Sequence, residues 1–256
     1  MKLRFTTKSF IISTFLFTLF RFLQIAFLTD SETKFLKSDF LWLNILLTVV
    51  CVVMLLYTAA NSFYAFRCPK AVGKTGICGA IVGIVSGVLM LIPAVQIMFK
   101  SNTNPISILL PLLGVVSCFM LAASEFFGFS LPKFTFLLPL ASNIYYFITA
   151  YSIYTGKPLR VRTVYEIFAL VFSILFYLYI SKAHCNVKPT ASFRLMYPLG
   201  FLAATFSILS FVPDILALFT GFGNNVTAPS TYSLSLIGSG IFITYLTLSS
   251  NKKQNQ

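Results

Sequence analysis

The sequence predicts an all-α fold, a polytopic bundle of transmembrane helices that crosses a bilayer about eight times. Three observations predict it. The 256 residues are 57% hydrophobic and 10% charged, where a soluble domain carries about 25% charge. A water-soluble fold of this length lacks the polar side chains to cover such a core, whereas lipid accepts apolar faces turned outward. The apolar runs are also long and continuous, with no period-two alternation, so each crossing satisfies its backbone as a helix and not as a strand of a barrel.

A helix rises about 1.5 Å per residue, so roughly 20 apolar residues cross the hydrocarbon. Runs of that kind occupy 10–28, 40–60, 76–98 and 106–127, then 134–154, 164–181, 195–219 and 232–248. The first begins after Lys2, Arg4 and Lys8, as a signal peptide does, but Arg21 interrupts it and no small-residue cleavage site follows Leu28. It is therefore read as an uncleaved helix. The narrowest separation is 128–133, where Gly128, Pro132 and Lys133 make a short turn between the fourth and fifth runs.

Nineteen basic residues give a net charge of +13. They stand in twos and threes between the apolar runs, not along one stripe, which argues against nucleic acid and for anionic headgroups. With the N-terminus inside, the inner segments hold twelve of them and the outer loops six (Lys34, Lys37, Lys100, Lys157, Arg160 and Arg162). Both termini are thus expected in the cytoplasm. Trp42, Tyr145, Tyr146, Tyr151 and Tyr154 fall near the outer boundaries, where an aromatic belt would stand. The Phe-, Ile-, Lys- and Asn-rich usage points to a bacterial inner membrane.

Matching punctuation suggests a tandem duplication, 1–127 and 128–256, of one four-helix unit. Tyr64, Arg67 and Cys68 correspond to Tyr179, Lys182 and Cys185. Pro93, Pro105 and Gly114 then correspond to Pro213, Pro229 and Gly238. An even number of helices per unit relates the copies by an axis along the membrane normal. Gly79, Gly83 and Gly87 recur every four residues on one face of the third span, a close-packing face for another helix of the chain or for a second copy.

Charge inside a bilayer is costly, so it marks candidate sites. Arg21 lies about seven residues from the outer end of the first span, and Asp214 about five from that of the seventh. They are expected to form an ion pair or share a polar pocket, with Gln24 and Gln96 at related depths. Glu125 and Glu166 read as interfacial charges near Lys133 and near Arg160 and Arg162. His184, Cys185, Cys68 and Cys78 lack metal-ligand spacing, so neither metal nor cofactor is expected, and five scattered cysteines give no disulfide framework. Asn225-Val-Thr227 matches a glycosylation sequon.

No catalytic or phosphate-binding motif is present, so an enzyme is not expected. No ATP-hydrolysing motif stands here, so energy coupling falls to an ion gradient or a partner subunit. The leading expectation is a small permease or the membrane subunit of a transport system. A non-transporting sensor or assembly partner, acting through the glycine face, is the alternative, and a membrane-embedded lipid-modifying enzyme comes third. The bilayer is the expected partner, with a partner subunit or homo-oligomer beside it. A polar cavity would favour transport and an exposed glycine groove the partner role. A pocket open to lipid beside converging titratable groups would favour the enzyme.

Overall fold

The structure is a computed structural model and describes residues 2–30, 32–33, 35, 41–65, 76–99, 104–155, 161–226 and 232–252. Among these it is helical throughout, with no strand of a sheet. Five helical segments are long and apolar enough to cross a membrane: Lys8–Leu28, Ile77–Met98, Pro105–Phe127, Arg162–His184 and Pro189–Phe219.

The first helix, α1 (Lys2–Leu23), runs directly into a π turn, Gln24–Leu28. Next come α2 (Leu41–Ala65), α3 (Ile77–Met98) and α4 (Pro105–Phe127). Pro105 opens α4, where its missing N–H would have had no helical partner. Gly128 ends α4 in the left-handed conformation (φ 75°), its N–H donating to the Ser124 carbonyl at 2.9 Å. That cap makes the short 128–133 segment a true reversal. The chain then continues into α5 (Leu137–Tyr154), packed against α4.

After α5 come α6 (Val161–His184) and α7 (Pro189–Leu209). The seventh apolar run, read as one helix, is broken: α7 stops at Leu209 and a short α8 (Val212–Phe219) follows. Pro213 explains the break, since it offers no N–H and its ring would strike the Leu209 carbonyl in a continuous helix. In the first turn of α8 it is harmless. The aligned Pro93 instead lies inside an unbroken α3, so the two prolines act differently.

The last helix, α9 (Ser233–Lys252), packs on α3, α6 and α7 and is covered on nearly every side. Its Ser235, Gly238, Ser239 and Gly240 suit that position, since small residues let several backbones approach. At Gly238 the neighbour is backbone: a Cβ there would lie 2.8 Å from the Ser86 carbonyl oxygen of α3. The Gly79, Gly83 and Gly87 face is likewise filled from within the chain, by Tyr245 of α9 and by Cys118, Phe119 and Ala122 of α4.

Outward faces are apolar. Ile11, Phe15, Val53, Leu56, Ile81 and Ile148 are all exposed. Trp42 and Tyr151 are exposed too, but Tyr146 is not part of such a rim. It is buried beside Tyr232, with ring centroids 6.1 Å apart. Cys78 and Cys185 are exposed thiols and Cys118 is buried in the core. The side chains of Cys51 and Tyr154 are outside the described residues, as are Lys34, Lys37, Arg67, Cys68, Lys70, Lys74, Lys100, Lys157, Arg160, Thr227, Pro229 and Lys253.

Candidate functional site

Two helix interruptions stand side by side. The π turn ending α1 leaves backbone carbonyls without helical partners, and side chains take them up. Asn225 Nδ2, from the loop after α8, donates to the Ile25 carbonyl at 2.9 Å and to that of Ala26 at 3.4 Å. Thr29 Oγ1 donates to the Gln24 carbonyl at 2.9 Å. The same Asn225 amide nitrogen is the one a sequon would glycosylate, and here it is half-buried and engaged. Asn225→Ala should lower stability by about 1 kcal/mol per lost bond. A thermal melt of the detergent-solubilised variant checks this, and an unshifted midpoint would show the clamp to be idle.

Between the interruptions lies a buried cluster of two arginines and two carboxylates. Arg162 and Glu166 stand one turn apart on α6, with Arg162 Nε 3.1 Å from Glu166 Oε1. Arg162 Nη1 lies 2.6 Å from Asp214 Oδ2, an ion-pair contact whose angle falls outside hydrogen-bond geometry. Arg162 Nη2 also donates to Ser233 Oγ, which donates in turn to Glu166 Oε1, both at 3.1 Å. Tyr232 OH donates to Glu166 Oε2 at 3.3 Å. Asp214 sits in the first turn of α8, where the helix dipole favours a negative charge.

Arg21, in the last turn of α1, reaches the same pocket. Its Nη1 donates to Gln24 Oε1 at 3.2 Å, and its guanidinium carbon lies 5.5 Å from the centre of the Tyr165 ring. Asp214 and Arg162 are near enough to interact with it electrostatically. Arg21 and Asp214 therefore share a pocket, but the carboxylate's ion-pair partner is Arg162. Gln24 belongs to the cluster; Gln96 is exposed on α3. The sequence reading missed Arg162, which it placed in a loop, and took Glu166 for an interfacial charge. Arg162 is 6% exposed and Glu166 1%. Their spacing of four residues at a helix start was the signal available.

The chain matches no known protein family, no curated protein and no solved structure.

Beside the cluster is an apolar cavity of about 420 Å³. Phe17 of α1 and Leu202 and Phe206 of α7 form its back wall. Val52 and Leu56 of α2 and Phe168 of α6 form its rim, and all three are exposed, so it opens sideways between α2 and α6. Gln24, which accepts the Arg21 hydrogen bond, and Tyr165, whose ring faces the guanidinium, line it as well. Glu166 and Asp214 do not line it.

The remaining polar residues have local roles. Glu125 Oε2 accepts the Gly76 N–H at 2.9 Å, at the start of α3. His184 Nε2 donates to the Leu131 carbonyl at 3.3 Å, and Cys185 Sγ lies 3.7 Å from that of Lys133. Among the described residues no group of three or more His, Cys, Asp and Glu side chains could hold a metal ion.

Proposed function

We propose that this chain is a small permease, or the membrane subunit of a transport system, that crosses a cell membrane eight times with both termini in the cytoplasm. The observation that carries the reading is the buried Arg21, Arg162, Glu166 and Asp214 cluster, set between an interrupted α1 and an interrupted α7–α8 beside a cavity. Secondary transporters build substrate sites at helix interruptions of this kind, because freed backbone and charge can stay there without facing lipid.

Eight crossings fit the eight helical stretches when α1 includes its π turn and α7 is taken with α8. The shortest, α5, with 18 residues, spans about 27 Å at the usual rise. Pairing α1 with α2 and α5 with α6, then α3 with α4 and α7 with α9, supports a four-plus-four unit, while α6 packs on α7 with no comparable packing of α2 on α3 among the described residues.

The sideways opening also favours a lipid-modifying enzyme. Transport is the better reading because the polar residues on the cavity wall are Gln24, Tyr165 and Thr48, while the carboxylates are turned to Arg162, Ser233 and Tyr232. A glycine face occupied by α4 and α9 leaves the assembly-partner reading without its groove.

A substrate-independent experiment tests transport. Gln24→Cys, with Cys51, Cys68, Cys78 and Cys185 replaced by serine, is treated with a membrane-impermeant thiol reagent in vesicles of both orientations. A pathway makes this site react from at least one side, while Ala169→Cys, fully buried in the core, stays silent. If Gln24→Cys stays as silent as Ala169→Cys from both sides, no pathway reaches the cluster and the permease reading fails.

A further inference from the structure

We infer that the cavity and Arg21 together form a binding site for an anionic amphiphile with one acyl chain, a carboxylate or phosphate head on a hydrocarbon tail; the inference rests on the permease reading for what the site is used for. Arg21 is 6% exposed. Among the described residues its guanidinium makes one hydrogen bond, to Gln24, and has no carboxylate within ion-pair distance. Glu166 and Asp214 are instead both in contact with Arg162. A guanidinium carries five N–H donors in a fork that matches carboxylate or phosphate oxygens. Arg21 is thus a buried cation that feels Asp214 across the pocket but has no carboxylate in direct contact, so most of its donor capacity is open.

The wall that Arg21 stands behind fixes what the anion is attached to. Arg21 does not itself line the cavity; Gln24, which accepts its hydrogen bond, and Tyr165, whose ring it faces, are the polar end of a cavity otherwise lined by Phe, Leu and Val, with Thr48 as the further exception. A free inorganic anion would leave that surface empty, and a neutral hydrocarbon would leave the guanidinium unanswered. A chain with a charged end satisfies both. At about 420 Å³ the cavity lies in the lower part of the range for small-molecule sites, room for one chain and not for a whole two-chain lipid. The mouth between Leu56 and Phe168 gives the tail a lateral entry, with the head passing Gln24.

The test uses the full chain in phosphatidylcholine nanodiscs, with bound ligand read by native mass spectrometry. Palmitate represents a free amphiphile, phosphatidic acid a bilayer lipid with one chain seated, and hexadecanol the uncharged tail. Expected is an adduct with palmitate or phosphatidic acid, the one that binds naming the source, and little with hexadecanol. Arg21→Ala should weaken the adduct by about tenfold or more, the loss of a charge-assisted hydrogen bond, and Arg21→Lys should restore part of it. Because Arg21→Ala removes a buried group, Val52→Trp serves as the second variant. It fills the mouth from α2 without touching a charge, and should abolish binding.

Equal retention of hexadecanol and palmitate, or unchanged binding in both Arg21→Ala and Val52→Trp, overturns the site. So does failure of both anionic ligands to bind. That failure is separable from failure of the permease reading: a reactive Gln24→Cys with no palmitate adduct leaves a pathway for another substrate, and an adduct with a silent cysteine leaves a binding protein that does not transport.

Discussion

Arg162→Ala should all but eliminate folded protein, the largest effect expected of any single substitution in the cluster. The arginine is shared by Glu166 and Asp214, which lie 3.1 Å and 2.6 Å from it. Removing it leaves two buried carboxylates facing each other across the gap. Stripping one partner from a buried ion pair costs about 3–5 kcal/mol, because the remaining charge keeps its desolvation penalty and loses its compensation. Here two charges are left, so the upper end of that range applies. A domain's net stability is about 5–15 kcal/mol, so a loss of this size is visible directly as lost yield. The monodisperse peak of the detergent-solubilised variant in size-exclusion chromatography is the measurement.

The companion variant Arg162→Met with Glu166→Gln, Asp214→Asn and Arg21→Met removes all four charges of the cluster at similar volume. It should recover much of the peak, since replacing a whole buried ionic group is often close to neutral. Tyr232 and Ser233 can still donate to the amide oxygen that Glu166→Gln leaves in the carboxylate's place. A fully folded Arg162→Ala protein, or a quadruple variant worse than the single, would show that the cluster does not carry the burden assigned to it.

Arg21 and Asp214 were legible in the sequence because a charge within an apolar run is conspicuous, and their depths alone put them in one layer. Their true connection was not legible. Arg162 stands at the end of a run of basic residues that reads as a loop, and α6 begins there, at Val161, three residues before the apolar stretch does. Hydropathy marks where the oil begins, while a helix can start earlier if its first turn is paired, as Arg162 is with Glu166. The break before α8 was masked in the opposite way. Pro213 is visible, but the apolar run continues across it, and span counting follows composition before backbone geometry. The Asn225 clamp had no local signal at all, since its partners, Ile25 and Ala26, are two hundred residues earlier. The lateral cavity belongs to the same class: its walls come from α1, α2, α6 and α7, and only their packing opens a gap.

Gly83→Ala should destabilise the protein far more than Gly87→Ala, although both sit on the same α3 face four residues apart. A Cβ at Gly83 would lie 2.8 Å from the Cys118 carbonyl oxygen and 3.0 Å from the Ala122 backbone nitrogen, so the obstacle is the α4 backbone itself. Relief requires the two helices to separate, and that loosens the interface along its length, from the Tyr245 and Glu125 contact at Gly79 to the Phe119 ring at Gly87. Overpacking typically costs about 1–3 kcal/mol, occasionally more where backbone must shift. At Gly87 the nearest atoms belong to the far edge of the Phe119 ring, 3.1–3.3 Å away, and a small rotation accommodates a methyl group. Thermal unfolding in detergent should therefore rank wild type close to Gly87→Ala and well above Gly83→Ala. Ala122→Gly, which removes the one side-chain atom in the way at 2.9 Å, should rescue Gly83→Ala only in part, because the carbonyl remains. Equal loss at the two glycines would mean that the Phe119 ring yields no more readily than the α4 backbone, since helix propensity alone favours alanine at both sites, and full rescue by Ala122→Gly would mean that a side chain, not the backbone, sets the distance between α3 and α4. Either result would return the glycine face to the question of whether another molecule can use it.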